Sequence, residues 1–167
     1  MDRTPQHDPT TPGAPHRLSA APEPSRSGSS AERGPEVAAA LTRTLTGFGA
    51  ASVLGGGLLA AMSDRPTLRA FGQQNAMWGA INLAIAGVGV WRGRAHPAQA
   101  DSLRRTLLIN AGLDVGYISV GGHIAYHRVA FGGRLPPEAA QGHGLGVLVQ
   151  GSGLLVLDLF YARRLRG

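Results

Sequence analysis

Four apolar runs stand out along the chain: Thr44 to Met62, Phe71 to Trp91, Thr106 to Tyr126 and Gly144 to Ala162. Each is about 19 to 21 residues long and holds no Lys, Arg or Glu. At a rise of about 1.5 Å per residue such a run matches a hydrocarbon core about 30 Å thick. The connectors carry the helix breakers, as in Ser63-Asp64-Arg65-Pro66, Arg92-Gly93-Arg94-Ala95-His96-Pro97 and Gly132-Gly133-Arg134-Leu135-Pro136-Pro137. The pattern predicts four helices. A soluble amphipathic helix needs a charged face along its length, and these runs have none. Glycine, unfavourable in a water-exposed helix by about 1 kcal/mol against Ala, is expected where helices approach closely in lipid through small-xxx-small faces. Gly47/Ala51/Gly55, Gly72/Ala76/Ala80/Ala84 and Gly112/Gly116 follow that spacing. The expected fold is therefore all-α, an antiparallel four-helix transmembrane bundle.

Composition divides the chain at Pro35. Residues 1–35 hold 7 of the 11 prolines and residues 36–167 hold 22 of the 25 glycines. The first part cannot bury a core and is expected to be a disordered Pro/Ser-rich cytoplasmic tail, the second a four-span membrane domain. No stretch ahead of Val37 has the apolar centre of a signal peptide, so the first span is expected to act as the targeting signal.

The net charge of +6 belongs to the second part, where 12 arginines face 6 acids. They fall in pairs and triplets between apolar runs (Arg92/Arg94, Arg104/Arg105, Arg163/Arg164/Arg166) and do not line one helix face, which argues against nucleic acid as a partner. With four spans, both termini and the middle connector share one side. That side carries Arg26, Arg33, Arg92, Arg94, Arg104, Arg105, Arg163, Arg164 and Arg166, against Arg65, Arg69, Arg128 and Arg134 on the other. The excess predicts a multi-pass inner-membrane protein with cytoplasmic termini. Cysteine and lysine are absent, which removes disulfides, thiolate chemistry and Schiff bases.

Polar residues inside the runs carry the remaining information, since an Asp near a bilayer centre costs about 2.5 to 3.5 kcal/mol on insertion scales. Gln74, Asn75, Trp78 and Asn82 fall on one face of the second helix; Asn110, Asp114 and Tyr117 form a stripe on the third; Gln150, Asp158 and Tyr161 form one on the fourth. The expected polar core network comprises Gln74, Trp78, Asn82, Asn110, Asp114, Tyr117, Gln150 and Asp158, in hydrogen-bonded layers in which Asn110 donates to Asp158 and Asn82 to Asp114 at shared depths. His123 and His127, one turn apart, and His143 have spacing that would suit a metal, but His123 lies opposite Asp114 on its helix and no third carboxylate joins them. No metal or other cofactor is expected. Gly87-Val88-Gly89 and Gly142-His143-Gly144-Leu145-Gly146 lack the βαβ context of phosphate loops, and no nucleophile arrangement is visible.

The first helical pair faintly echoes the second: Arg43-Thr44-Leu45 recurs as Arg105-Thr106-Leu107, and Gln74 with Asn82-Leu83 recurs as Gln150 with Asp158-Leu159. A duplicated hairpin would make Asn82 and Asp158 equivalent. Through Trp78-Gly79-Ala80-Ile81-Asn82-Leu83, Asn110-Ala111-Gly112-Leu113-Asp114-Val115-Gly116-Tyr117 and Gln150-Gly151-Ser152-Gly153-Leu154-Leu155-Val156-Leu157-Asp158, the chain resembles a family of uncharacterised bacterial four-span membrane proteins over roughly residues 40–162. The resemblance implies a topology and no activity. The expectation is a non-enzymatic membrane module, structural or partner-binding, whose partners are the bilayer and a second copy or membrane protein met through the small-residue faces. The competing expectation is a small oligomeric transporter or proton- or cation-coupled carrier using Asp114 and Asp158.

Overall fold

Helix ends in the computed structural model follow the breakers: α1 (Arg26–Met62), α2 (Pro66–Ala95), α3 (Ala100–His127) and α4 (Pro137–Arg164). The structure describes residues 26–129 and 132–166, with side chains from Glu32 onward; of the expected tail over residues 1–35, residues 1–25 lie outside them and residues 26–35 belong to α1. All regular structure among the described residues is helical. Pro66 and Pro137 open α2 and α4 at first-turn positions, where the missing N–H costs no hydrogen bond. Both helices begin several residues ahead of their apolar runs for that reason. Helix α1 crosses the composition boundary, with Pro35 inside it. Gly34 beside that proline packs against the backbone of Ala98 and Ala100, where α3 begins.

Small residues set the packing. A Cβ on Gly72 would stand 2.5 Å from the Gly56 carbonyl oxygen, and one on Gly79 would stand 2.6 Å from that of Gly49. Helices α1 and α2 thus run antiparallel at close backbone approach. The same arrangement recurs in α3 and α4: Gly144 meets Gly121 and Ala125, and Gly151 meets the Asp114 backbone and Ile118. The close contacts of the two helical pairs match under a shift of 65 residues in their first helices (Gly49 to Asp114, Gly56 to Gly121) and of 72 in their second (Gly72 to Gly144, Gly79 to Gly151). The expected echo had shifts of 62 (Arg43 to Arg105) and 76 (Gln74 to Gln150). It aligned like letters, whereas the backbone aligns the glycines that touch. In the packed register Asp158 corresponds to Ala86, Gln150 to Trp78 and Tyr117 to Ser52, so Asn82 and Asp158 are not equivalent.

The pairs join through α2 and α4, which run parallel. Gly142 seats against Thr67 and Ala70, and Gly146 seats against Gln74 and Asn75. Helix α1 touches α4 more sparsely, where Phe48 lies on Gly153 and Thr44 Oγ1 meets the Tyr161 hydroxyl at 2.7 Å. Helices α2 and α3 make no close backbone approach among the described residues. At the end where α1 and α3 begin, Val37, Leu45, Ala86, Leu107, Leu157, Tyr161, Ala162 and Leu165 form an apolar cluster. Toward the middle the interior turns polar.

A buried polar centre

Gln150 on α4 organises the interior. Its side chain is 2% exposed, and its Nε2 donates to Ser52 Oγ on α1 and to Asn75 Oδ1 on α2, both at 2.8 Å. Its Oε1 accepts from Asn82 Nδ2 at 3.4 Å. Asn82 is 1% exposed, and Asn75 donates its amide to the Phe71 carbonyl at 2.8 Å, one turn back. A buried amide is costly unless its donors and acceptor are engaged, and Gln150 engages both protons and its carbonyl with three other side chains. The glycines make this possible. Gly146, one turn before Gln150, brings α4 against Gln74 and Asn75, so short amide side chains can bridge three helices.

Two turns back along α4 from Gln150, toward the loop between α3 and α4, Gln74 Oε1 lies 3.0 Å from His143 Nδ1. His143 is thereby tied to α2, while His123 and His127 stack on each other with ring centroids 4.5 Å apart. Among the described residues, no group of three or more His, Asp or Glu side chains could hold a metal ion.

The carboxyl groups follow a different plan. Asp114 on α3 and Asp158 on α4, 3% and 7% exposed, lie close to each other across the interface of the two helices. Asp114 Oδ2 receives no donor from the described residues. Asn82, level with Asp114 by depth, bonds Gln150 and leaves the pair alone, because the backbone of α2 packs on α1 and α4 and not on α3. The buried stripe of α3 runs through Leu107, Ala111, Asp114, Gly121 and Ala125, the side that packs on α4. Asn110 and Tyr117 flank that stripe on one side. Asn110 is exposed and apart from Asp158, and Tyr117, 40% exposed, leans on Trp78 with ring centroids 5.2 Å apart in an edge arrangement. That aromatic pair bridges α2 and α3. Trp78 Nε1 is buried and without an acceptor among the described residues.

The structure thus brings Gln74, Asn82 and Gln150 into the interior, joins Asp114 to Asp158, sets Trp78 on Tyr117, and leaves Asn110 outside. Ser52 was not anticipated. Its signal was slight: it is the one hydroxyl residue between Thr46 and Ser63 in a run of glycine, alanine and leucine.

The comparisons with known proteins bear on the whole of this centre. No curated protein and no solved structure matches the chain. A family model does match, over residues 44–159, a stretch that holds every member of the polar centre from Ser52 to Asp158, and by that match the chain belongs to DUF6992, a family of unknown function.

Proposed function

We propose that the protein is an integral membrane module of four spanning helices, with a polar interior that fixes how two helical pairs pack. The observation that carries this reading is its inverted polarity. Asn75, Asn82, Asp114, Gln150 and Asp158 are buried, while large apolar side chains on all four helices face outward, including Leu54 at 73%, Trp91 at 72%, Tyr126 at 84% and Val156 at 69% exposed. A water-soluble monomer rarely exposes apolar surface so continuously, and a bilayer removes its cost. Helices α1 (from Glu32) and α4 are long and apolar enough to cross a membrane. Helices α2 and α3, at 30 and 28 residues, have the length; their amides, Asp114 and histidines lower their apolarity.

In this reading the end carrying Arg33, Arg92, Arg94, Arg104, Arg105, Arg163, Arg164 and Arg166 faces the cytoplasm, by the arginine excess over the end with Arg65, Arg69, Arg128 and Arg134. A Cβ added at Gly47 or Gly55 on α1, or at Gly112 or Gly116 on α3, meets nothing within 4 Å, so these glycines are not what holds the four helices together. Alkaline carbonate extraction of membranes from expressing cells tests the embedding: the chain stays with the pellet, and its release to the supernatant would sink the reading.

The Asp114–Asp158 contact favours a second reading, a proton- or cation-coupled carrier, because an interior acid without a donor is poorly suited to holding helices together. Asp114→Asn in proteoliposomes separates the two. Lost ion flux at unchanged stability supports the carrier, and absence of any flux in the native protein removes it.

A further inference from the structure

The two helical pairs, matched by their glycine contacts, differ at one station. Where Tyr117 and Trp78 meet edge to ring between α3 and α2, the corresponding positions of α1 and α4 hold Ser52 and Gln150. Along the same stripe, Leu113, Tyr117, Val120 and Ile124 of α3 correspond to Phe48, Ser52, Gly55 and Leu59 of α1. One half carries bulk; the other carries a cavity of about 260 Å³ bounded by α1 and α2. Phe48, Leu59 and Phe71 line it with apolar surface, Ser52 and Asn75 give it a polar floor, and Ala51 and Gly55 lie exposed at its mouth.

The Ser52 hydroxyl has a proton to give. Thr46, Thr106 and Ser119 donate theirs to the carbonyl four residues back. Ser52 makes no such bond among the described residues: its oxygen accepts from Gln150, and its O–H is without an acceptor. Asn75 already gives its oxygen to Gln150 and an amide proton to Phe71. The floor therefore offers the Ser52 O–H as an unused donor, and an acceptor is what a ligand would bring to it. The cleft is open on one side and has room for a substituted ring, since a closed cavity of about 150 Å³ already holds benzene. Ser52 stands roughly 12 Å along the helix from Thr44, in the middle of the apolar run, and the mouth opens sideways.

We propose that this cleft binds a ring-sized apolar molecule bearing a carbonyl oxygen, entering laterally from the hydrocarbon of the bilayer, with Ser52 donating to that carbonyl and Phe48 and Phe71 flanking the ring. The route of entry rests on the membrane reading; the pocket chemistry does not.

The test uses the purified full chain in detergent with radiolabelled duroquinone, a tetramethylated ring with two carbonyls, against durene, the same ring without them. Duroquinone binds saturably at about one per chain and about tenfold tighter than durene, the discrimination expected of one hydrogen bond made in an apolar site. Gly55→Phe abolishes binding of both by filling the mouth, at a position where a Cβ meets nothing within 4 Å and the fold is spared. Ser52→Ala removes the preference for the carbonyl. Equal affinity of duroquinone and durene for the native chain, or wild-type binding by Gly55→Phe, overturns the proposal. Carbonate extraction run alongside keeps the two ideas apart: a chain released by carbonate that still binds duroquinone defeats the membrane reading alone, and a membrane-retained chain with no saturable binding defeats the pocket alone.

Discussion

Asp114 and Asp158 face each other across α3 and α4 with no amide or hydroxyl between them, although four interior amides lie on neighbouring helices. Replacing Asp114 by Asn supplies the missing donor in nearly the same volume. Asp114→Asn is expected to raise resistance to unfolding by about 1 kcal/mol, the net value of one added hydrogen bond, read from an SDS titration. A fall of similar size would mean that the Asp114 carboxylate already has a donor that Asn cannot use.

Gln150 should be the most sensitive polar position. Gln150→Leu keeps the volume but strands Ser52, Asn75 and Asn82, which lose the side chain they share. The expected loss is about 2 to 4 kcal/mol, more than a single interhelical bond in a membrane would give, because three partners are left unpaired. Thermal melts of Gln150→Leu beside Asn110→Leu check this, since Asn110 lies on the exposed side and its replacement should move stability by under about 0.5 kcal/mol.

Glycine positions that look alike in sequence should behave oppositely. Gly79→Ala places a methyl 2.6 Å from the Gly49 oxygen and 2.7 Å from the Val53 nitrogen, both backbone atoms that cannot step aside. It should cost about 2 kcal/mol or more and loosen the α1–α2 pair. Gly112→Ala meets nothing within 4 Å and should be neutral or gain up to about 1 kcal/mol in helix propensity. Equal effects of the two would mean that glycine here serves the outer faces.

How far the sequence carried the fold can be judged from these same residues. The apolar runs marked four helices, because hydropathy reports stretches without charge. They missed where α2 and α4 begin, since Pro66 and Pro137 start helices on polar residues that hydropathy reads as loop. Helical periodicity grouped Gln74 with Asn82 and Asp114 with Tyr117 on shared faces, but a face is only an angle. Which neighbour it meets depends on where glycine lets a backbone approach. Gly144 and Gly151 turn Asp114 toward α4, and Gly146 turns Gln150 toward α2, so Asn82 meets Gln150 and Asp114 meets Asp158. The pairing lay in close approaches that glycines make to residues 16 to 37 positions away, from Gly56–Gly72 to Asp114–Gly151, and in that of Gly146 to Gln74, a relation that no local pattern encodes.

Orientation is open to direct measurement because the chain has no cysteine of its own. Asp64, in the turn between α1 and α2, and Gln99, just ahead of α3, are both exposed and lie at opposite ends of α2. Asp64→Cys and Gln99→Cys therefore report the two ends of the molecule without touching its interior. If the arginine-rich end is cytoplasmic, a membrane-impermeant maleimide added to spheroplasts labels Asp64→Cys at once and Gln99→Cys only after lysis. The reverse order would invert the topology while leaving the four spans intact. Labelling of both before lysis would place the two loops on one side, and then α2 does not cross. That last outcome bears hardest on α2, whose amides hold its apolarity below that of α1 and α4, and it would turn the buried Asn75–Gln150–Asn82 chain from a membrane interior into the core of a helical pair lying at the surface.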